Sequence, residues 1–388
     1  MKIAFLIPQL GGGGAEKIAA ELSRLITKEH EPLFILFEER VEYPSRGRIR
    51  SLNVPLKNSP IEPFAFILRM IRLNKIVKEE APDIIMSFDD YASFLNAFSN
   101  STRVFAIHKS LVVADIHKNI LKGTIVRLFR KFIYSKADKI IAISEGIKDE
   151  LIHYVGIEPE KIIVINNPYD IARIRSLGKQ KPPIKLPSQY IINVGRCEVQ
   201  KGQWHLIRAF SKVHSKIPNL KLVMIGRGSL FGYLKTLISD LGLSDSISLI
   251  DSHFDNVNPL LKNSECFVLS SLFEGFPNVL VESMALGVPV IATDCKTGPS
   301  EIMDRYGEKI RGIITTKYGV LIPPLDGKIR GASEHLSKEE ELLADAIIAL
   351  AKNPKLRSKL SKAGKTRSEV FDSKLAIEKY EKVFRSTM

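Results

Sequence analysis

The sequence predicts an α/β protein of two doubly wound parallel-sheet domains, and three observations carry that prediction. The chain opens with an apolar run at 2–8, a glycine cluster from Gly11 to Gly14, and a stripe of Ile18, Leu22, Leu25 and Ile26 at helical spacing. That is strand, glycine turn, helix. The same order begins again at Tyr190, with the strand IINV, the turn GRCEVQKG, and a helix carrying Leu206, Ile207 and Phe210. Further apolar runs alternate with helical patterns near 33–37, 83–87, 103–107, 139–143 and 162–165, and then near 220–225, 247–250, 265–269 and 288–293. Short apolar runs interleaved with helices read as parallel strands covered on both faces.

The 388 residues suffice for roughly two to three domains, and 45 % hydrophobic with 26 % charged residues is a globular mixture. These figures exclude a disordered, fibrous or disulfide-stapled chain. Pro168, Pro182, Pro183 and Pro187 mark a linker at 168–187, between a first domain at 1–167 and a second at 188–370. A last helix, 371–388, is expected to return to the first domain. The three cysteines, Cys197, Cys266 and Cys295, have no paired spacing, which argues against disulfides and zinc and for a reducing, cytoplasmic compartment. The apolar N-terminus is too short for a secretory signal, and no run of about 18 uncharged apolar residues is available to span a bilayer. The 57 Lys and Arg against 43 Asp and Glu leave a formal charge of +14. Such an excess implies an anionic partner: nucleic acid, an acidic membrane surface, or a phosphorylated small molecule.

In doubly wound sheets, ligands sit at the carboxyl ends of the strands. The segment SSLFEGFPNVLVESMALGVPVIATD places Glu274 in such a loop, Pro277 at a helix start and Gly287 at its stop. Glu282 lies inside that helix, eight residues beyond Glu274, so both carboxylates can point toward the strand ends. The backbone N–H groups of 275–279, which include Gly275, Phe276, Pro277 (itself lacking a donor) and Asn278, start the helix and suit phosphate oxygens. In NVGRCEVQKG, Arg196 and Lys201 flank a strand-to-helix turn, where a guanidinium fork and an ammonium could neutralise a diphosphate without metal. The glycine cluster fails G-x-G-x-x-G, and Gly364-Lys365-Thr366 is no phosphate loop because position 359 is Lys. No Asp-x-Asp and no paired His spacing is present, so no metal and no bound cofactor is expected. Asp89-Asp90 reads as a loop feature. His108 follows a strand and falls on the first domain's ligand edge.

Two segments concentrate cations. In FAFILRMIRLNKIVK, Arg69, Arg72, Lys75 and Lys78 recur every third residue beside Phe66, Leu68, Ile71 and Ile76. In IHKNILKGTIVRLFRKFIYSKADK, Lys118, Lys122, Arg127, Arg130, Lys131 and Lys136 interleave with Ile125, Leu128, Phe129 and Phe132. Such helices can lie on an anionic membrane, at about 1 kcal/mol per cation. The plainer reading is a surface helix with its apolar face in the core.

Taken together, PQLGGGGAEK, KADKIIAISEGIKDEL, NVGRCEVQKG, VMIGRGSLFGYLKTLISDLGLSDSISLID, the Glu274–Glu282 element, GPSEI and YGVLIPP resemble glycosyltransferase family 4 over nearly the whole chain. These are retaining enzymes with the GT-B fold, two Rossmann-like domains facing a cleft. The resemblance implies that Glu282 holds the nucleotide ribose and that Glu274 lies beside the transferred sugar, with Gly275, Phe276, Pro277 and Asn278 in donor contact. It implies that Arg196 and Lys201 grip the diphosphate and that Gly13 and Gly14 approach it from the other domain. His108 would lie near the reacting carbon, and Gly226 and Arg227 would border the nucleoside. It further implies metal-independent transfer from a nucleotide sugar, UDP-linked, to a lipid-linked or nascent glycan acceptor at the cytoplasmic face of a membrane. Gly298-Pro299-Ser300 before Glu301 suits a subset that extends lipid-linked oligosaccharides with amino sugars. Two other readings stay open: a GT-B epimerase or a sucrose- or starch-type synthase, and a non-catalytic basic binder of nucleic acid. The last is disfavoured, because no nucleic-acid module is recognisable.

Overall fold

The computed structural model describes the chain apart from residues 55–61, 113–119, His253 and Met388, and gives the backbone alone for 62, 63 and 120–122. It divides into two compact units. One is Met1–Pro168 together with Ser373–Met388, and the other is Tyr169–Asp372.

The first unit is built on β1 (Lys2–Ile7), β2 (Glu31–Leu36), β3 (Arg48–Ser51), β4 (Ile84–Ser87), β5 (Thr102–Ile107), β6 (Lys139–Ala142) and β7 (Ile162–Val164). They form one parallel sheet in the order β3-β2-β1-β4-β5-β6-β7. The second unit has β8 (Tyr190–Val194), β9 (Lys221–Ile225), β10 (Ile247–Ile250), β11 (Cys266–Leu269), β12 (Val290–Thr293), β13 (Ile314–Thr315) and β14 (Val320–Ile322). Their order is β10-β9-β8-β11-β12-β14-β13, parallel except for the antiparallel pair β13–β14. The predicted fold class is therefore the observed one.

The strands are apolar on both sides because both faces are covered. In β1, Ile3, Phe5 and Ile7 pack with Leu22 of the helix Gly14–Leu25 and with Tyr380 and Phe384 of the last helix, Ser373–Ser386. Ala4 and Leu6 face the other way, toward Leu73 and Leu95. The helix after β1 thus covers one face, and Asp90–Asn96, the helix after β4, covers the other. In the second unit, the helix Gln203–Lys216 packs into the core over β8 through Trp204, Leu206, Ile207 and Phe210. Strand order reverses beside the first strand of each sheet, which in doubly wound sheets is the place at the carboxyl edge where ligands bind.

Three departures from expectation have physical causes. Residues 168–187, expected as a linker, carry the helix Ile171–Leu177, capped by Asp170. The Arg175 Nε of that helix donates to the Ala285 carbonyl at 3.1 Å, which ties the segment to the second unit. The strand β3 is missing from the sequence reading because it is a charged edge, RIRS, whose Arg48 and Arg50 pair with Glu80 at 2.7 Å. Asp89-Asp90 is not a loop feature: Asp89 accepts from the Ala92 N–H and caps the helix, while Asp90 meets Arg130 at 3.3 Å and the Tyr134 hydroxyl.

The two basic helices, Glu62–Glu80 and Ile120–Tyr134, meet the plainer reading only in part: Leu73, Ile76, Ile133 and Tyr134 face the core, but a second apolar stripe on each is exposed and one arginine of each is buried. Arg69 is fully buried: its Nε donates to the Val54 carbonyl at 2.9 Å and its guanidinium lies over the Phe37 and Tyr91 rings. Arg130 is 3 % exposed. Neither can meet a lipid headgroup. Lys118 lies outside the described residues, as does the side chain of Lys122.

Candidate active site

In the second unit the loops that follow β8, β9, β11 and β12 touch one another at the carboxyl edge of the sheet. Gly226 sets their spacing: a Cβ there would lie 1.9 Å from the Gly195 carbonyl oxygen. Gly202 ends the β8 loop at φ 54°, where a Cβ would lie 2.4 Å from the Ser270 carbonyl. Backbone closeness of this kind admits only glycine. A Gly226→Ala protein is expected to be destabilised by about 1–3 kcal/mol and to lose nucleotide binding, read as a lower Tm that UDP no longer raises.

The loops so held bring opposite charges together. The Lys201 Nζ donates to Glu274 Oε1 at 2.6 Å, and the Ser271 hydroxyl donates to the same oxygen at 2.6 Å. Gln200 Nε2 donates to Glu274 Oε2 at 3.3 Å and to the Phe273 carbonyl at 3.0 Å, while its Oε1 accepts from Arg196 at 3.4 Å. Glu274 is buried, the Lys201 side chain is 19 % exposed, and Arg196 is open to solvent. Two further bonds fix the frame: Ser270 Oγ to the Lys201 carbonyl at 2.9 Å, and the Leu272 N–H to the Gln200 carbonyl at 2.8 Å. Three side-chain donors satisfy this buried carboxylate and fix its position. The Lys201 ammonium carries three N–H donors, of which this pairing uses one.

Beyond Glu274 the chain enters the helix Asn278–Ala285. Thr297 Oγ1 donates to the Gly275 carbonyl at 2.7 Å, and Phe276 packs edge-on against Phe371 at 5.3 Å. A Cβ at Gly298 would lie 2.8 Å from Pro277 Cδ, so the loop after β12 lies directly on the turn. Asn278 Oδ1 accepts from the Tyr169 hydroxyl at 2.7 Å. Glu282 is buried within this helix. Gly226 sits in the same set of loops, whereas Arg227 is exposed and pairs with Asp251 at 3.2 Å. Burial pushes the Asp294 carboxyl, after β12, above its ordinary range, and a hydrogen bond with Ser300 offsets part of that rise.

Gly13, Gly14 and His108 belong to the first unit. Gly13 caps the helix Gly14–Leu25 in extended geometry, and the Glu16 carboxylate folds back so closely that a Cβ at Gly13 would lie 2.0 Å from it. His108 follows β5 and stacks on Phe88 at 5.5 Å. Its Nε2 is buried with no hydrogen-bond partner among the described residues, and burial pushes the imidazole down to about 4. At neutral pH it is an uncharged donor or acceptor. Among the described residues, no group of three His, Cys, Asp or Glu side chains could hold a metal ion.

Ser271 and Gln200 are absent from the sequence reading. Ser271 stands three residues before Glu274 and Gln200 one before Lys201, so adjacency was the available signal. Nothing in a serine or glutamine by itself announces a carboxylate partner.

Comparison with known proteins places the chain as a whole. The family model for glycosyl transferases group 1 matches residues 175–320, and that for glycosyltransferase family 4 matches 12–173. An uncharacterized glycosyltransferase of Methanocaldococcus jannaschii is 33 % identical over 364 residues, covering 88 % of this chain and 89 % of that one. The Campylobacter jejuni N-acetylgalactosamine-N,N'-diacetylbacillosaminyl-diphospho-undecaprenol 4-alpha-N-acetylgalactosaminyltransferase is 26 % identical, covering 96 % of both. Among solved structures, Anabaena HepE in complex with UDP superposes with a TM-score of 0.75 at 19 % identity, over the full length of both chains. Two doubly wound sheets that share a strand order over their first five strands are the GT-B fold of the sugar-transfer enzymes. The chain belongs to the family 4 glycosyltransferases.

Proposed function

We propose that this glycosyltransferase moves a hexose or N-acetylhexosamine from a nucleotide sugar, UDP-linked, to a lipid-linked or nascent glycan, with retention of configuration and without a metal. The observation that carries this reading is the Lys201–Glu274 pair at the strand-order reversal of the second sheet, held by Ser271 and Gln200. The C. jejuni relative, named for transfer onto a diphospho-undecaprenol substrate, and the HepE complex with UDP support the acceptor and donor classes.

The chemistry follows from charge. A departing nucleoside diphosphate gains negative charge, and fixed cations are worth most where that charge develops. Lys201, with Arg196 beside it, serves this role in place of a divalent ion. The N–H groups opening the helix Asn278–Ala285 add their partial positive charge. Glu274 orients Lys201 and a donor sugar hydroxyl, and Glu282 takes the ribose hydroxyls. Glu274 and Glu282 are binding groups here, not the acid and nucleophile of a glycosidase. On the first unit, the family resemblance assigns Gly13 and Gly14 to the donor phosphates and the neutral His108 to the transferred sugar. The enzyme works at the cytoplasmic face of a membrane, as a peripheral protein.

A Glu282→Ala protein is expected to keep its Tm to within a few degrees, yet to lose detectable transfer and the thermal shift given by UDP. A screen of UDP- and GDP-sugars for donor hydrolysis comes first, to supply the substrate. Near-normal turnover in the variant would sink the assignment of Glu282 to the donor.

A further inference from the structure

The first unit turns two apolar stripes toward solvent. On the helix Glu62–Glu80 they are Phe64, Ile67, Leu68 and Ile71, exposed by 75, 56, 39 and 61 %. On the helix Ile120–Tyr134 they are Ile125, Leu128, Phe129 and Phe132, exposed by 58, 59, 48 and 55 %. Both sets fall at i, i+3, i+4 and i+7, a complete helical face. The opposite faces are buried, with Arg69, Leu73 and Ile76 inward on one helix and Arg130, Ile133 and Tyr134 inward on the other. Both helices pack on the short helix Asp90–Asn96, through Phe66 on Tyr91 and Phe129 on Phe94. The stripes therefore flank one element, and the exposed Phe98 just beyond it adds to them. Lys136 lies over both the Phe98 and Phe132 rings. Eight large apolar side chains in two ordered rows exceed the scattered exposure of an ordinary surface.

We infer that these two stripes insert into the interfacial layer of an anionic lipid bilayer and hold the enzyme there by apolar contact. The occupant is chosen by charge. Residues 63–78 and 120–134 contain no Asp or Glu. Lys75, Lys78 and Lys131 are exposed beside the stripes. A symmetric pairing with a second copy would set these cations against their own counterparts, which is repulsive. A bilayer offers hydrocarbon at the depth of the stripes and anionic headgroups at the level of the lysines. The electrostatic anchor expected from the sequence shrinks, since Arg69 and Arg130 are core residues, and the apolar rows take over its work. This inference deepens the membrane-side location proposed above. It does not depend on which sugar is moved.

The test is sedimentation of the full chain with phosphatidylglycerol-containing vesicles and with neutral phosphatidylcholine vesicles, at low and high salt. Wild type is expected to pellet with the anionic vesicles and to stay bound at high salt, because apolar insertion is not screened. Combined Ile67→Ser, Ile71→Ser, Leu128→Ser and Phe132→Ser substitutions are expected to weaken binding about tenfold or more at either salt. The four positions are exposed, so the variant should keep the wild-type Tm and the thermal shift with UDP, which separates this outcome from misfolding and from failure of the donor reading. Lys75→Gln with Lys131→Gln should weaken binding at low salt only. Unchanged pelleting of the serine variant would overturn the inference. So would wild type that ignores vesicles but is a dimer by light scattering, made monomeric by the same serines.

Discussion

A Lys201→Ala protein is expected to transfer sugar about a hundred- to a thousandfold more slowly than wild type, with the loss in kcat rather than in donor KM. The argument rests on when the ammonium matters. In the resting enzyme Lys201 is already paired with Glu274 at 2.6 Å, so its attraction for a ground-state diphosphate is partly spent. As the sugar–phosphate bond breaks, charge builds on the departing oxygen and the unused N–H donors of Lys201 gain most. Removing the side chain leaves Glu274 with Ser271 and Gln200 as donors, so the carboxylate keeps hydrogen bonds and the loop should hold. Steady-state release of nucleoside diphosphate, followed beside Tm, checks both halves. A Lys201→Ala enzyme with kcat near wild type would remove this residue from the chemistry. Arg196→Ala should cost less, since Arg196 is exposed and reaches the cluster only through Gln200 at 3.4 Å.

The largest stability effect is expected at Glu340, on the helix Lys338–Ala351. Its side chain is fully buried. It meets His205 Nδ1 at 2.7 Å, Arg208 Nε at 3.0 Å and the Ser337 N–H at 2.8 Å. Arg208 also donates to the Gly331, Glu334 and His335 carbonyls, binding the 331–337 segment to the helix Gln203–Lys216. Glu340→Ala strands a buried guanidinium and should cost about 3–5 kcal/mol, on the order of ten degrees of Tm in a domain of this size. Burial alone would raise the Glu340 carboxyl, but hydrogen bonds from His205, Ser337 and Arg208 outweigh it and hold the group below the ordinary carboxylate range. A depressed folded-state value means that this stabilisation is complete above that range and is lost as pH falls through the folded-state value. Thermal melts should therefore show the gap between wild type and variant narrowing in acid. A gap independent of pH would mean that the network is held by packing rather than by charge.

How far the sequence alone reached differs from residue to residue. The two sheets were legible because a parallel strand covered on both faces must be largely apolar, as β1 is after Lys2, β8 is apart from Asn193, and β11 is throughout. The short or charged edges β3 and β13 lack that signature. Lys201 and Glu274 stood out because charges after apolar strands are conspicuous, whereas Ser271 and Gln200 gain meaning only once two loops meet. The Ser337-x-x-Glu340 spacing is readable as a capping box, but the partners of Glu340 lie 132 and 135 residues away and leave no local trace. Arg69 and Arg130 invert local expectation. Their burial depends on the Val54 carbonyl, Tyr91 and Asp90, which no periodicity in their own helices reveals.

The return of the last helix, Ser373–Ser386, to the first sheet has a consequence for synthesis. Tyr380 and Phe384 complete the core against Phe5, Leu22 and Phe34, and His30 meets Glu381 at 2.5 Å. Residues 1–168 therefore leave the ribosome with one sheet face partly uncovered, while 169–372 can close as a continuous unit. The part of the chain made first is the part finished last. Truncation before Ser373 should injure the N-terminal half, and ribosome-bound chains should expose that apolar face to chaperones until residues 373–386 have emerged.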